Sequence, residues 1–427
     1  MTGAPAHAAI ETVIRLESSR LIAGLARYAA GDIGLAEELA QDAVVAALEQ
    51  WPQAGVPANP GAWLMTVAKR RAVDQFRRRQ ELDRKYEQIG RALEAEGDDG
   101  TADLDRVAAA DIDDDLLRLI FIACHPVLPV TARVALTLRL LGGLTTAEIA
   151  RAYVLPEPTI AQRIVRAKKT LAAAHVPFET PDDSQRPARL SSVLEAIYLI
   201  FNEGYSATAG DDWMRPALCQ ESLRLGRVLA QLMPAEPEVH GLAALLEIQS
   251  SRLAARTGAD GSPVLLLDQD RARWDRQLIN RGLANLRTAE DLSDAPGPRE
   301  HGPYVLQALI AACHAVAFRP EDTDWQRIAA LYAILARVMP SPVVELNRAV
   351  AVSMADGPQA GLDLVDQLAA EPALRSYHLL PSVRGDLLMK LGRAQEAQAE
   401  FERAADLARN ERERQLADAR AQAAGAE

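Results

Sequence analysis

Apolar residues recur at helical spacing along almost the whole chain, and this periodicity constrains the fold more than any other feature. Two such stripes open the chain, formed by Ile10, Val13, Ile14 and Leu21 and by Leu35, Leu39, Val44, Val45 and Leu48. Ala, Leu and Arg are abundant and aromatic residues make up only 4%, a mixture that favours helices over sheets. We therefore expect an all-α fold, and 427 residues are enough for two or three domains.

Two neighbouring stretches carry opposite charge. Residues 62–91 hold nine Lys or Arg and four acidic residues, whereas residues 92–115 hold ten acidic residues and one Arg. The net charge of −12 excludes a uniformly basic nucleic-acid binder but not a local basic site. We interpret the acidic stretch, centred on EAEGDDGTAD, as a solvated linker.

Nothing in the chain indicates export, membrane insertion or metal chemistry. The N-terminus lacks a basic start followed by an apolar core, and the most apolar stretch, residues 119–132, is too short to span a bilayer. Three cysteines form no disulfide framework. Cys124-His125 and Cys313-His314 lack a second pair at ligand spacing, and no phosphate-binding loop or hydrolase motif is present. We expect a cytoplasmic protein without cofactor, metal, membrane partner or enzymatic activity.

The sharpest local pattern is a helix-turn-helix. Gly142-Gly143 ends one helix, Thr145 and Glu148 can form a capping box for a short second helix, and a third helix begins at Glu157. Such a unit lays its last helix in the DNA major groove. The alternative is a helical hairpin with a solvated basic face. The candidate DNA contacts are Glu157, Thr159, Gln162, Arg163, Arg166, Lys168 and Lys169.

A second basic helix follows the segment WPQAGVPANPG, residues 51–61, which we expect to be a loop. The helix begins near Asn59-Pro60 and clusters cations where a phosphate backbone could bind. Trp63 could stack on an unpaired base or pack in the core, and Phe76 is expected in the core. The candidate cations are Lys69, Arg70, Arg71, Arg77, Arg78 and Arg79.

The last section, residues 191–427, is helical in pattern and contains a weak repeat. Ala360 with Leu364, and Ala397 with Phe401 and Ala404, show the small–large spacing of tetratricopeptide helix pairs. An irregular helical domain remains the alternative. A polar cluster near its start could be a ligand site, although a capped helix end is favoured; it comprises Asn202, Glu203, Tyr205, Asp211, Asp212 and Trp213.

The order of these parts resembles a known family. The strings EELAQDAVVAALEQWP, NPGAWLMTVAKRRAVDQFRRR and LTTAEIARAYVLPEPTIAQRIVRAKKTL resemble bacterial RNA polymerase sigma factors. The similarity is greatest to the extracytoplasmic-function group of the sigma-70 family, which keeps only regions 2 and 4. AIYLIFNEGYSATAG resembles the long subgroup with a tetratricopeptide-like C-terminal domain. One departure lies in the turn VLPEPTIAQR, where relatives more often carry a glycine and a Ser-Arg pair.

The resemblance implies roles that composition and spacing do not. Residues 1–95 would be region 2, 96–112 an acidic linker, 113–178 region 4, 179–190 a linker and 191–427 the C-terminal domain. The helix from Glu157 would read the −35 element, and the loop before the basic helix, with that helix, would read and open the −10 element. Asn59 and Trp63 join the basic residues there. The implied contacts with core RNA polymerase are Glu38, Asp42, Leu48 and Trp51.

The resemblance also leaves a regulatory question. We expect the C-terminal domain to regulate or support transcription initiation, through an intramolecular contact with the sigma domains in place of a separate anti-sigma protein. The alternative is a helix-turn-helix regulator with a helical sensor domain that does not bind polymerase.

Overall fold

A computed structural model describes residues 3–29, 31–79, 104–208, 210–258, 261–294 and 300–426. Within these ranges the chain forms eighteen α-helices and a few short 3-10 turns, with no β-strand. The predicted all-α fold is confirmed. The chain divides into two compact units, Met1–Leu199 and Ile200–Glu427, which we call the first and second units.

The first unit contains seven complete helices and most of an eighth. They are α1 Gly3–Tyr28, α2 Ile33–Ala54, α3 Pro60–Arg79, α4 Leu104–Ala123, α5 Val130–Leu140, α6 Thr146–Ala152, α7 Glu157–Ala173 and α8 Arg186–Tyr205. Helices α1, α2 and α3 pack on one another, and α5, α6 and α7 do the same. Helix α1 also packs on α4, which joins the two groups.

Helix α2 starts where the sequence provides a cap and ends later than we expected. The Asp32 carboxylate accepts a hydrogen bond from the Leu35 amide at 3.0 Å, which satisfies an unpaired donor of the first turn. The helix continues through Pro52 to Ala54, and α3 already begins at Pro60, so the predicted loop over residues 51–61 is wrong in its first four and last two residues. Proline removes one hydrogen bond from the last turn, and the burial of Trp51 holds that turn in place.

The helix-turn-helix has the predicted boundaries. Thr145 and Glu148 form the expected capping box before α6, and the Glu148 amide donates to the Thr145 hydroxyl at 3.1 Å. Gly143, with φ of 64°, permits the turn before this cap. Pro158 sits in the first turn of α7, where its missing N–H costs nothing.

The second unit is a succession of helices built on the end of α8. They are α9 Pro216–Leu232, α10 Pro237–Ser250, α11 Arg276–Asp294, α12 Pro303–Val316, α13 Trp325–Val338, α14 Pro342–Asp356, α15 Pro358–Leu368, α16 Leu379–Lys390, α17 Ala394–Leu407 and α18 Glu411–Gly425. Helix α10 packs on both α11 and α12, and from α13 onward most helices pack on the next one along the chain.

The predicted repeat is only partly reflected in the packing of this unit. Ala397 and Phe401 are buried, and Gly385 lies so close to the Phe401 ring that a Cβ would meet it at 2.6 Å. In α15, however, the buried small and large residues are Gly361 and Val365, one position after the predicted pair. The tetratricopeptide-like interpretation stays a prediction.

The predicted domain boundaries also stay predictions. Residues 80–103, which include most of the predicted acidic linker, lie outside the described residues, and α4 already begins at Leu104. The predicted boundary between residues 190 and 191 falls inside α8, which is uninterrupted from Arg186 to Tyr205. Across the described ranges, no helix is long and apolar enough to cross a bilayer, and no three His, Cys, Asp or Glu side chains group as metal ligands.

Candidate nucleic-acid interface

Helix α7 has one buried face and one exposed polar face. Ile160, Ile164, Ala167 and Leu171 are buried, as expected for a helix that packs against α5 and α6. Arg163 is half-buried at the edge. Among the other predicted contacts, Thr159, Gln162, Arg166 and Lys169 are exposed on one face, whereas Glu157 is exposed in the first turn on the side of the helix opposite Arg166. Amide and guanidinium groups on one such face match the hydrogen-bonding edges of bases in the major groove.

The turn that orients α7 contains a strained residue. Val154 has φ of 50°, a left-handed conformation that a β-branched side chain rarely adopts. It occupies the turn in which relatives more often carry glycine. The strain is tolerated because both flanking helices are fixed, α6 by its capping box and α7 by its buried face.

Lys168 is not part of the exposed face. Four residues make slightly more than one helical turn, so Lys168 lies beside Ile164, toward the buried side. Its ammonium group pairs with Glu37 of α2, and Glu37 also pairs with Arg139 of α5 at 2.6 Å. In this structure a carboxylate therefore occupies the place that we expected a DNA phosphate to take.

Glu37 is a buried anion held by two cations. Burial by itself would raise the pKa of its carboxyl group, but Lys168 and Arg139 together hold that pKa below its usual value. Gln41 adds a hydrogen bond to the same carboxylate at 3.0 Å. We call the three charged side chains of Glu37, Arg139 and Lys168 the Glu37 latch, because they join α2 to the helix-turn-helix. No local sequence pattern indicates this pairing, since Lys168 is 131 positions from Glu37.

The entry to α3 shows how two predicted −10 contacts are held. The Asn59 side chain accepts a hydrogen bond from the Ala62 amide at 3.1 Å and so caps the helix, although Asn59 is itself exposed. Trp63 is half-buried, and its ring packs edge-on against Trp51 at 5.3 Å. Both residues border the loop that precedes α3, and Trp63 keeps part of its ring accessible.

The basic residues of α3 differ in their surroundings. Lys69 donates a hydrogen bond to the Tyr28 hydroxyl at 2.7 Å and lies over the Tyr28 ring. Arg71 lies 3.7 Å from Asp42 of α2, whereas Arg70 is exposed. The backbone of Arg77, Arg78 and Arg79 is helical, but their side chains, like that of Phe76, lie outside the described residues.

The predicted polymerase contacts do not all lie on the surface of α2. Glu38 is exposed and Asp42 and Leu48 are half-buried, so these three side chains are accessible. Trp51 is 2% exposed, which makes direct contact through its indole incompatible with this packing. Trp51 instead packs against Trp63 and so holds the end of α2 against α3.

Helix α8 contributes a buried polar network to the first unit. Its Ser192 hydroxyl donates to the Cys124 carbonyl at 2.5 Å and accepts a hydrogen bond from Arg133 of α5. Arg133 also pairs with Glu195 at 2.9 Å, and Arg189 donates to the Phe121 carbonyl at 2.9 Å. The sequence held no signal for these pairings, because each joins residues about 60 positions apart.

Cys124 closes this network as a structural thiol. Its sulfur lies 3.2 Å from the Thr137 hydroxyl of α5. Burial raises the pKa of the Cys124 thiol to about 11, so the group stays neutral at physiological pH. A buried neutral thiol packs as a small apolar side chain in the core.

Two members of the polar cluster at the start of the second unit, Glu203 and Asp212, have hydrogen-bond partners within that unit. Glu203 pairs with Arg215 and accepts a hydrogen bond from the Thr208 hydroxyl at 2.9 Å. Burial nevertheless raises the pKa of Glu203, because it outweighs the opposing effects of Thr208 and Arg215. Asn410 is fully buried and donates to the Asp212 carbonyl at 3.0 Å. These contacts favour a structural role for the cluster.

Comparison with known proteins agrees with this geometry. Residues 16–81 match the family described as Sigma-70 region 2, and residues 118–171 match Sigma-70, region 4. Residues 189–290 match a family of unknown function, DUF6596. No solved structure matches the chain.

One relative matches this chain over most of its length. An uncharacterized protein of Rhizobium meliloti (strain 1021) is 47% identical over 380 residues, which cover 89% of this chain and 87% of that protein. The region 2 match covers α2 and α3, and the region 4 match covers the helix-turn-helix. The chain therefore belongs to the sigma-70 family, as a sigma factor similar to the extracytoplasmic-function group with an additional C-terminal helical domain.

Proposed function

We propose that this chain is an alternative sigma factor that binds core RNA polymerase through α2. In this proposal α7 reads the −35 element, and α3 with its preceding loop reads the −10 element and helps to open the promoter. The observation that carries the proposal is the exposed face of α7, on which Gln162, Arg166 and Lys169 lie together opposite a fully buried stripe.

Regions 2 and 4 are promoter-recognition parts, and sigma-70 proteins are transcription initiation factors rather than enzymes. Promoter opening needs no nucleophile, because the energetic task is to hold flipped bases against a few kcal/mol of lost stacking per base. Accessible Trp63, at the edge of the loop, can offer a stacking surface for such a base. Polymerase supplies the chemistry, and the expected place of action is the cytoplasm.

Promoter binding would require the first unit to open. The −35 and −10 elements are named for positions 25 base pairs apart, which at 3.4 Å each is about 85 Å of DNA. Helix α2 is only about 33 Å long, and both α3 and Lys168 of α7 contact it. The Glu37 latch is therefore incompatible with simultaneous use of both elements. The acidic segment between α3 and α4 would let the two domains separate.

Gel filtration with bacterial core RNA polymerase, followed by run-off transcription on a promoter library, tests this proposal. Co-elution with promoter-specific transcripts is the expected result. Without co-elution, the chain would be better explained as a DNA-binding regulator that does not use polymerase.

A matched pair of variants tests the role of α7. We expect Arg166→Gln to weaken promoter binding about tenfold or more, because a base contact by arginine contributes roughly 1–3 kcal/mol. Arg186→Gln removes the same charge at the start of α8, where the partner Asp183 is 93% exposed, and should leave binding unchanged. Equal effects of the two variants would exclude base reading by Arg166.

A further inference from the structure

We propose that the first part of α8 is a structural component of region 4, so that the C-terminal domain acts on −35 recognition rather than on region 2. The family match to region 4 ends at residue 171, and α8 lies in the DUF6596 match that begins at residue 189. Yet α8 up to Leu199 belongs to the same compact unit as regions 2 and 4. This inference rests on the proposed function for its regulatory part only.

The C-terminal end of α4 receives two hydrogen bonds from side chains of α8. A helix leaves its last carbonyl groups without partners in the helix, and they need hydrogen bonds from elsewhere. The Phe121 carbonyl accepts one from Arg189, and the Cys124 carbonyl just beyond the helix accepts one from Ser192. Two side chains of α8 thus complete the C-terminus of a region 4 helix.

Arg133 of α5 has a buried guanidinium group whose partners lie on α8. Arg133 is 8% exposed, and a buried cation is tolerated only when it is paired and hydrogen-bonded. The partners that the structure records for Arg133 are Ser192 and Glu195, both on α8. Without α8, Arg133 would lose both of these partners, the Ser192 hydroxyl and the Glu195 carboxylate.

Packing of α5 on α7 connects this network to the proposed DNA-reading helix. Arg133 lies on α5, which packs directly on α7, and Thr137 of the same helix binds Cys124. A change at Ser192 therefore alters the support of the helix-turn-helix. Within the described residues, three side chains of α8 make polar contacts with region 4. Their partners lie on α4, on α5 and at Cys124 just beyond α4, and the three side chains are those of Arg189, Ser192 and Glu195.

Helix α8 is also continuous with the C-terminal domain. The helix passes without interruption from the first unit into the second, where Glu203 joins the polar cluster through Arg215. A C-terminal domain attached in this way acts on region 4 through the helix itself. Cutting the chain at the predicted boundary after residue 190 would also remove Ser192 and Glu195, and would damage region 4.

Two adjacent serines provide a matched test in the full-length chain. Ser192 is buried, whereas Ser191 is exposed. Hydrogen exchange of wild type, Ser192→Ala and Ser191→Ala is followed by mass spectrometry. We expect Ser192→Ala to speed exchange of residues 118–140 about tenfold, because buried Arg133 and the Cys124 carbonyl lose a partner. Exchange in residues 33–54 should change less than exchange in residues 118–140, and Ser191→Ala should match wild type.

DNA binding by the same three proteins tests the regulatory part. Fluorescence anisotropy with a labelled 20-base-pair duplex should show several-fold weaker binding by Ser192→Ala than by Ser191→Ala. Equal exchange in residues 118–140 for the two variants would overturn the proposal. If wild type itself binds neither DNA nor polymerase, the proposed function fails, whereas the exchange data still decide whether α8 supports region 4.

Discussion

Replacing Val154 by glycine should stabilise the helix-turn-helix, although the change removes a whole side chain. Val154 has φ of 50°, and a left-handed conformation costs an L-residue about 1–2 kcal/mol, with β-branched residues at the upper end. Glycine adopts it freely but loses more entropy on folding, by roughly 0.5–1 kcal/mol. Val154 is 53% exposed, so the burial that is lost is worth about 0.5 kcal/mol. The net gain is about 1 kcal/mol at most.

A second valine with nearly equal exposure provides the control. Val165 is 51% exposed and lies inside α7, where its backbone carries no strain. Val165→Gly should therefore destabilise by up to about 1 kcal/mol, through a few tenths of a kcal/mol of lost helix propensity and about 0.5 kcal/mol of lost burial. The two changes remove the same atoms from similarly exposed positions, and we expect them to have opposite signs.

Hydrogen exchange of the α6 and α7 amides in the full chain measures both variants, because it reports local opening free energies within a multidomain protein. We expect up to about fivefold slower exchange in Val154→Gly, which corresponds to 1 kcal/mol, and faster exchange in Val165→Gly. Exchange in Val154→Gly as fast as in wild type, or faster, would refute the strain argument.

Four further outcomes are expected. Glu37→Gln should weaken the Glu37 latch by about 2 kcal/mol, seen as a longer separation between spin labels at Gln50 and Thr170. The folded-state pKa of Glu37 lies below its ordinary value of 4.5. The Glu37 latch should therefore persist above pH 4.5 and open as the pH falls through the lowered pKa, which the same spin labels would measure. Trp51→Ala should cost about 3–5 kcal/mol in region 2, seen by hydrogen exchange of α2. Asn410→Ala should cost about 1–3 kcal/mol in the second unit, seen by exchange of α18.

Exposed neighbours provide the controls for these variants. Glu49→Gln removes the same charge from α2 as Glu37→Gln, and Gln50→Ala and Arg409→Ala truncate side chains beside Trp51 and Asn410. The native cysteines are buried, so labels attach only to introduced ones. If a control matched its partner variant, the contact assigned to the buried residue would not be what stabilises that region.

The helix-turn-helix was predictable because its signals are local. Gly142-Gly143 ends one helix, Thr145 with Glu148 starts the next, and Pro158 suits the first turn of α7. Each of these interactions spans at most a few residues, so the linear order of the chain contains both partners. The exposed face of α7 followed from the period of its apolar residues.

Lys168 and Trp51 are predicted contacts whose side chains are engaged inside the first unit, and their roles stay predictions. A lysine on a basic helix suits a phosphate, yet its position one turn after Ile164 already placed it toward the buried side of α7. Its partner Glu37 could not be identified from the sequence, since 131 residues separate them. Trp51 was assigned to the polymerase surface by resemblance, but its indole packs inside against Trp63.

The sequence by itself determined the helical elements, the helix-turn-helix and the family, because helix periodicity, caps and motif strings act over short distances. The tertiary structure alone decided which polar side chains pair between different helices. Glu37 pairs with Lys168 and Arg139, and Arg133 donates to the Ser192 hydroxyl and pairs with Glu195. A buried charge must find a partner wherever the folded chain brings one. Only the fold brings residues so distant in sequence together. The same pairings join α8 to region 4.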